Sequence, residues 1–228
     1  MQWTALLLPG MDGTGKLFKG FVRALPKGIA PEIVSYPADE ALGYDELLAL
    51  IKIPDMPFAV VAESFSGPLA VRLAAQAPRH LKALVLVATF VRKPVRIIPR
   101  WMRILVTPKL FKVHPPDWAL RWALMGGDRH EDITSDFQEI LKAVRPEVFA
   151  LRLREILNVD VSREFSRLSI PLLYVAGRRD RLVSQRVAKG LAKLHPGMET
   201  VTLDAPHLVL QSQPLEAATA ISGFLARA

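Results

Sequence analysis

The chain has 228 residues, half of them apolar, which is enough to bury a sizeable core within one domain. It contains no cysteine, which excludes thiolate metal sites, a cysteine nucleophile and disulfide bonds. The formal net charge is +8, and the first apolar run, in MQWTALLLPG, is too short for a membrane span and lacks the basic flank of a signal peptide. We therefore expect a cytoplasmic protein.

Short apolar runs alternate with amphipathic runs over the first 90 residues. The strand-like runs are 3–8, 32–37, 58–62 and 81–89, and the helical runs between them are 17–25, 44–51 and 66–77. Strands separated by helices of about ten residues indicate βαβ units. The expected architecture is a parallel sheet buried on both faces.

The alternation stops between residue 91 and about residue 169. Six prolines interrupt this segment, three of the four tryptophans lie in it, and its apolar residues follow helical spacing. A strand-like run returns at 170–177 and is followed by a helix at 185–194, a strand at 198–205 and a last helix at 212–227. The pattern predicts one α/β domain over 1–228, with a helical cap inserted at 91–165.

The inserted segment is strongly basic. Two acidic residues oppose nine basic ones between positions 91 and 130, namely Arg92, Lys93, Arg96, Arg100, Arg103, Lys109, Lys112, Arg121 and Arg129. Such a patch could attract nucleic acid, an anionic membrane surface or an acidic substrate. Solvated side chains on short helices are the simpler explanation. We expect no nucleic-acid partner because no recognition motif accompanies the charge, and no motif supports membrane association or indicates an oligomeric state.

Polar residues follow four of the predicted strands. They form the stretches PGMDGTG (9–15), ESFSG (63–67), GRRD (177–180) and APH (205–207). The carboxyl ends of parallel strands share one edge, where ligands bind, so Asp12, Ser64, Asp180 and His207 are expected at the same rim. The glycine-rich stretch lacks the Gly-Lys-Ser/Thr ending of a phosphate-binding loop, which argues against nucleotide binding.

The order of serine, aspartate and histidine, each after a strand, resembles the α/β-hydrolase superfamily. Ser64 stands where that family carries its nucleophile elbow, G-x-S-x-G, with Ala62 and Ser66 in place of the two glycines. The resemblance implies Ser64 as the nucleophile, His207 as the general base and Asp180 as the acid that orients the histidine. Ser66 is a rival nucleophile, although a role as a small filler or helix N-cap suits it better. Both serines could also act only as caps.

The resemblance also assigns a role to the loop after the first strand. The family usually carries His-Gly there, and this chain carries Pro9-Gly10. Gly10 lets the backbone turn its amides inward, and the N–H groups of Met11 and Phe65 are the implied oxyanion-hole donors. Asp12 either braces the loop or, like Gly10, contacts substrate.

The strand order follows from the same resemblance. The chain begins where the family's third strand would lie, so about six mainly parallel strands in the order 2-1-3-4-5-6 are expected, with helices on both sides. PGMDGTG together with AESFSG also resembles the esterase and acyltransferase branch related to plant phytyl-ester synthases.

The implied activity is hydrolysis of a small-molecule carboxylic ester through an acyl-enzyme, with no cofactor and no metal. Trp101, Trp122, Met102 and Met125 suggest an apolar acyl or aromatic site, although they could equally form the core of the cap. A thioesterase or an acyltransferase would use the same catalytic residues. A ligand-binding protein that keeps the fold but has weak or no chemistry is a further alternative, because the elbow and the first loop depart from the family pattern.

Overall fold

The computed structural model describes residues 3–94, 100–112, 116–126 and 131–228. Its centre is a six-stranded sheet in the order β2-β1-β3-β4-β5-β6, in which all neighbouring strands are parallel. The strands are β1 (Trp3–Leu8), β2 (Ile29–Ile33), β3 (Phe58–Glu63), β4 (Leu81–Val87), β5 (Leu172–Gly177) and β6 (Glu199–Leu203). The predicted fold class and strand order are confirmed.

Helices cover both faces of the sheet. They are α1 (Lys19–Ala24), α2 (Tyr44–Leu50), α3 (Gly67–Ala75), α4 (Asp117–Leu124), α5 (Glu131–Ala143), α6 (Pro146–Asn158), α7 (Ser162–Ser166), α8 (Gln185–Leu194), α9 (Val209–Ser212) and α10 (Pro214–Leu225). Successive side chains of a strand point to opposite faces, so β3 contributes Val60 to one core and Val61 to the other. Both residues are fully buried, which explains why the central strands are continuous apolar runs.

The second strand begins and ends earlier than the sequence predicts. The predicted strand covers 32–37, whereas β2 covers Ile29–Ile33. The chain leaves the sheet before Tyr36, whose backbone N–H donates to the carbonyl of Gly13 at 2.7 Å instead of to a strand. Tertiary contacts therefore override the strand propensity of an aromatic residue.

The predicted last helix, 212–227, corresponds to α10, and a separate short helix, α9, ends at Ser212 before it. Pro214 is the first residue of α10 and disfavours helical backbone at the residue before it. Gln213 accordingly has φ −131° and ψ 59°, outside the helical region.

One edge of the sheet is formed by β2, which contains Pro31. The carbonyl of Gly28 accepts the N–H of Trp3 in β1 at 2.9 Å, and the N–H of Val34 donates to Leu7 in β1 at 3.0 Å. Backbone polar groups alternate sides along a strand, so residues 28, 30, 32 and 34 face β1 and Pro31 faces outward. The residue that lacks an N–H thus lies on the open side of the edge strand.

All helices and 3₁₀ turns described between β4 and β5 lie in one long connection, the β4–β5 segment, residues 88–171, in which no strand is described. It contains α4, α5, α6, α7 and the 3₁₀ turns Arg100–Leu105 and Pro108–Phe111, and an isolated bridge joins Arg92 to Asp160. Arg96, Arg129 and the side chain of Met102 lie outside the described part of the chain. Within the described ranges, no helix is both long and apolar enough to cross a membrane.

Candidate active site

Ser64 lies at a sharp turn directly after β3. A single 3₁₀ turn, Ser64–Ser66, leads from the strand into α3. Ser64 has φ +48°, a backbone conformation that L residues rarely adopt. Such a conformation costs on the order of 1–3 kcal/mol and persists only where the surroundings enforce it. The carbonyl of Ser64 accepts a hydrogen bond from Thr89 Oγ1, which helps to hold the turn.

Ser64, His207 and Asp180 form one hydrogen-bonded series. Ser64 Oγ lies 2.9 Å from His207 Nε2, and His207 Nδ1 lies 2.8 Å from Asp180 Oδ2. His207 is on the loop after β6 and Asp180 on the loop after β5. The parallel sheet therefore brings together, at its carboxyl edge, the three residues that the sequence singled out.

The surroundings of Asp180 fix the histidine tautomer. Asp180 Oδ1 accepts the backbone N–H groups of Leu182 and Val183, both at 2.8 Å, which leaves Oδ2 for the histidine. A carboxylate only accepts hydrogen bonds, so Nδ1 carries the proton and Nε2 is free to accept the proton of Ser64. The side chains of His207 and Asp180 are 5% and 1% exposed, which keeps this arrangement away from water. Chemically, the series can activate a serine hydroxyl by general base catalysis.

Ser66 is engaged in contacts of a different kind. Its hydroxyl donates to the carbonyl of Pro9, and the hydroxyl of Tyr36 lies 2.7 Å from Ser66 Oγ and donates to it. Ser66 is the N-cap residue of α3, but its side chain makes no capping hydrogen bond to the helix. Ser66 instead ties the turn after β3 to the loop after β1. Burial raises the pKa of Tyr36 well above its usual range, so its hydroxyl stays protonated as a donor.

The β1 loop, residues 9–15, lies beside Ser64. A Cβ placed on Gly10 would be 4.0 Å from the Cβ of Ser64. The carbonyl of Gly10 accepts the N–H of Gly13 at 3.0 Å, and in a trans peptide this turns the N–H of Met11 to the opposite side. The side chain of Asp12 makes its hydrogen bonds within the loop, where Oδ2 accepts the N–H and the hydroxyl of Thr14 at 2.9 and 2.7 Å.

Phe65 is held rigidly behind Ser64. Its ring stacks on Tyr44 with the ring centres 4.7 Å apart, and its carbonyl accepts the Tyr44 hydroxyl at 2.8 Å. The N–H of Phe65 belongs to the first turn of the helical segment, where backbone donors have no partner inside the helix. Such a donor can bind an anionic oxygen.

Glu63 is a buried carboxyl group next to Ser64 for which sequence reasoning gave no role. Gln211 Nε2 donates to Glu63 Oε2 at 3.0 Å, whereas Glu63 Oε1 and Gln211 Oε1 have no hydrogen-bond partner among the described residues. Burial raises the pKa of Glu63 to about 7. The only sequence signal was a charged residue at the end of an apolar strand.

Arg152 was missed altogether. It is 1% exposed, and its guanidinium binds the β1 loop from α6. Phe149, Arg152 and Ile156 are spaced as one face of a helix, so an arginine within an apolar stripe was the available signal.

The aromatic residues predicted to bind substrate lie at the surface. Trp101 and Trp122 are 62% and 57% exposed, and the guanidinium of Arg181 lies 4.4 Å from the ring centre of Trp122. Met125 is buried. Among the described residues, no group of three or more histidine, aspartate and glutamate side chains could hold a metal ion.

A family model described as the alpha/beta hydrolase fold matches residues 46–213. The chain belongs to this family. The matched range includes Ser64, Asp180 and His207, whereas the β1 loop lies outside it. No curated protein sequence matches the chain significantly.

Several solved structures share the fold of this chain at low sequence identity. A thermophilic esterase from Thermogutta terrifontis superposes with a TM-score of 0.82 at 17% identity, over 100% of this chain and 90% of that one. A bromoperoxidase from Bacillus anthracis gives 0.81 at 16%, over 99% and 92% of the two chains. An enol-lactonase from Burkholderia xenovorans gives 0.77 at 18%, again over 99% and 92%. These proteins are similar to the chain in fold.

Proposed function

We propose that this alpha/beta hydrolase cleaves a carboxylic ester through a covalent acyl-enzyme. The observation that carries the proposal is the hydrogen-bonded series from Ser64 through His207 to Asp180, at a strained turn. An esterase and an enol-lactonase among the similar folds are consistent with chemistry at an ester carbonyl.

The first half of the reaction forms the acyl-enzyme. Ser64 Oγ attacks the ester carbonyl carbon while His207 Nε2 takes the serine proton, and Asp180 stabilises the resulting imidazolium. The carbonyl oxygen becomes an oxyanion, for which the N–H groups of Met11 and Phe65 are the proposed donors. Collapse of the tetrahedral intermediate breaks the bond to the alcohol oxygen, which receives the proton from His207.

The second half returns the enzyme to its starting state. His207 removes a proton from water as the water oxygen attacks the acyl carbon, and a second oxyanion forms at the same donors. Its collapse breaks the bond to Ser64 Oγ, which recovers the proton from His207. The carboxylic acid then leaves. All proton transfers use His207, so no cofactor or metal enters the proposed mechanism.

We also propose that residues 91–165 of the β4–β5 segment form the predicted helical cap over the site. The carbonyl of Leu124 in α4 accepts the N–H of Leu208, the residue after His207, at 3.2 Å. Lys16, just after the β1 loop, forms a 2.8 Å ion pair with Glu139 in α5. Contacts to both sides of the site support this placement.

The acyl group is proposed to lie against apolar side chains of this cap. Leu208 lines a small cavity together with Arg121 and with apolar residues that belong to α4, follow it directly or belong to α5, namely Leu120, Leu124, Met125, Ile133 and Phe137. Phe137 also packs in the cluster that includes Met11 of the β1 loop. These contacts connect the cavity lining to the residue after His207 and to the cluster beside Met11, and they support the proposed placement. Gly10 and Asp12 stay candidate substrate contacts. Trp101 and Trp122 are exposed, so we propose that they contact only the part of a substrate that reaches the protein surface.

Labelling with a fluorophosphonate probe and turnover of p-nitrophenyl esters test the proposal. The wild type should be labelled and active, whereas S64A should be neither. S66A is the matched control because it removes a serine hydroxyl two residues away. Equal turnover by S64A and the wild type would overturn the proposal, and a folded wild type that the probe fails to label would favour the binding-protein alternative.

A series of p-nitrophenyl esters from acetate to laurate tests the acyl site. If the apolar side chains around Leu208 line the acyl site, kcat/KM should rise with chain length and the rise should be smaller in L124A. A series that is flat or falls with length in the wild type would remove the apolar acyl site. Parallel assays with acyl thioesters, and with added alcohols as acceptors, distinguish the thioesterase and acyltransferase alternatives.

A further inference from the structure

We infer that Arg152 is a positioning residue that holds the β1 loop in the shape needed to present the Met11 amide to the reacting carbonyl oxygen. The inference rests on the proposed function because it concerns the same site. It adds a residue of the β4–β5 segment to a catalytic site otherwise built from loops of the sheet.

The guanidinium of Arg152 binds two separate loops. Nη1 donates to the carbonyls of Met11 at 3.0 Å and Asp12 at 2.8 Å, and Nη2 donates to the carbonyl of Pro37 at 2.9 Å. The planar fork of arginine suits such a bridge, whereas a lysine ammonium has a single nitrogen. Arg152, a residue of α6, therefore connects the β1 loop to the segment after β2.

The bridge is stiff because the charge is buried. Every hydrogen-bond partner recorded for Arg152 among the described residues is an uncharged backbone carbonyl. Burial lowers the pKa of Arg152, but an arginine side chain remains protonated in proteins. Arg152 Nε already has no partner among the described residues, so displacing any of these carbonyls would leave still more of a buried cation unpaired, which is strongly unfavourable. The carbonyls are therefore held in place.

The loop is shaped to fit the guanidinium. Gly13 has φ +74°, and a Cβ on it would lie 2.5 Å from Arg152 Nη1. The guanidinium carbon lies 5.7 Å from the ring centre of Tyr36, whose hydroxyl binds Ser66. Since Ser66 in turn binds the carbonyl of Pro9, the contacts of Arg152 continue to the start of the loop.

These contacts fix the backbone around Met11 on both sides. The Gly10 carbonyl is held by Gly13, and the next two carbonyls, of Met11 and Asp12, are held by Arg152. The loop contains three glycines, whose backbone freedom is large. Without Arg152 the loop would sample other shapes, and the Met11 N–H would be aimed correctly only part of the time. The loss should fall on the transition state, where the oxyanion exists, more than on substrate binding.

The test compares R152A and R152K with a control on the same helix. Arg154 also binds a backbone carbonyl, that of Val106 at 2.8 Å, but this contact lies within the β4–β5 segment. R154A is thus the matched control, because it removes an arginine from the same helix without touching the β1 loop. Turnover of p-nitrophenyl esters, inhibition by a trifluoromethyl ketone and thermal unfolding are measured for all variants.

R152A should lower kcat about 10- to 100-fold and weaken the trifluoromethyl ketone by a similar factor, with KM changed by less than about threefold. R152K should show a smaller loss, because its charge can reach only part of the bridge. Added guanidinium ions should restore part of the activity of R152A and have no such effect on R154A. If R152A fails to fold, the partial loss in R152K carries the same test.

A folded R152A, or R152K where R152A does not fold, with wild-type kcat and ketone affinity would overturn the inference. An equal loss in R154A would do so too, because it would show a general effect of the helix. S64A is assayed in parallel. If S64A is as active as the wild type, the proposed function fails. If S64A is inactive but R152A keeps wild-type kcat, the proposed function stands and only the inference about Arg152 fails.

Discussion

Gly67 and Thr89 touch so closely that residue 67 has no room for a side chain. A Cβ on Gly67 would lie 2.0 Å from Thr89 Oγ1 and 2.7 Å from its Cγ2. Thr89 also donates to the carbonyl of Ser64, so the same contact supports the strained turn. The family pattern has glycine at position 66, and the turn tolerates Ser66 there because its hydroxyl has hydrogen-bond partners. The close contact between α3 and the residues after β4 lies one position later, at Gly67.

G67A should lower the free energy of unfolding by about 3 kcal/mol or more, because the new methyl group overlaps Thr89 in a packed interior. T89A alone should cost about 1–2 kcal/mol through the lost hydrogen bond. The double variant should be more stable than G67A, since T89A removes the two closest atoms. Urea unfolding of all four proteins measures the coupling, and strictly additive losses would contradict the steric explanation.

D180N should lower kcat on a p-nitrophenyl ester by about 10⁴-fold, because an amide at this position can stabilise the wrong histidine tautomer. D204N is the matched control. Asp204 also follows a strand at this edge, but its carboxylate is 70% exposed and pairs with Arg179 at the surface. Exposed ion pairs contribute little, so D204N should keep kcat within about twofold. Similar losses in both variants would point to a diffuse charge effect.

S66A and S64A should have opposite effects. S66A should keep most of the activity but lose about 1–3 kcal/mol of stability, because the buried hydroxyl of Tyr36 and the carbonyl of Pro9 lose their partner. S64A should lose the activity and keep wild-type stability. Esterase assays and urea unfolding on the same preparations provide both readouts. Loss of labelling and turnover in S66A, with S64A still active, would make Ser66 the nucleophile.

E63Q should be more stable than the wild type at pH 8 and similar to it near pH 4. Burial raises the pKa of Glu63 from 4.5 to about 7, so between these values the folded state keeps a proton that the unfolded state has lost. Wild-type stability should therefore fall as the pH rises from about 4.5 to 7, with the full loss present above pH 7.

The glutamine side chain removes this ionisation and adds an N–H that can donate to Gln211 Oε1, which has no recorded partner. The gain above pH 7 should reach about 3 kcal/mol at most. Urea unfolding at several pH values measures it, with E164Q as the control because Glu164 is exposed. A stability difference that does not change with pH would show that Glu63 is not protonated preferentially in the folded state.

The residues found from the sequence share one property, which is a position defined by local pattern. Ser64, Asp180 and His207 each follow a run that is recognisable as a strand from the sequence, and parallel strands end on one side. Alternating runs therefore located the three side chains without any knowledge of their contacts. Trp3–Leu8 and Gln185–Leu194 were predicted with the observed bounds for the same reason.

The residues that were missed depend on partners far along the chain. Arg152 lies 140 residues from its partner Asp12, and Gln211 lies 148 residues from Glu63. Nothing in the local spacing of either residue identifies its partner. Tyr36 was predicted as part of a strand because aromatic residues suit strands, yet its hydrogen bonds to Gly13 and Ser66 draw it out of the sheet.

Pro31 has a consequence for how copies of the molecule can meet. The open side of an edge strand is a template on which a strand of another chain can pair, and this is a common route to aggregation. The proline ring replaces the donor in the middle of a five-residue strand, so an incoming strand would lack a bond at its centre and meet the ring itself. Growth of an intermolecular sheet from this border is therefore disfavoured by one covalent ring, without any charged residue being needed at that position.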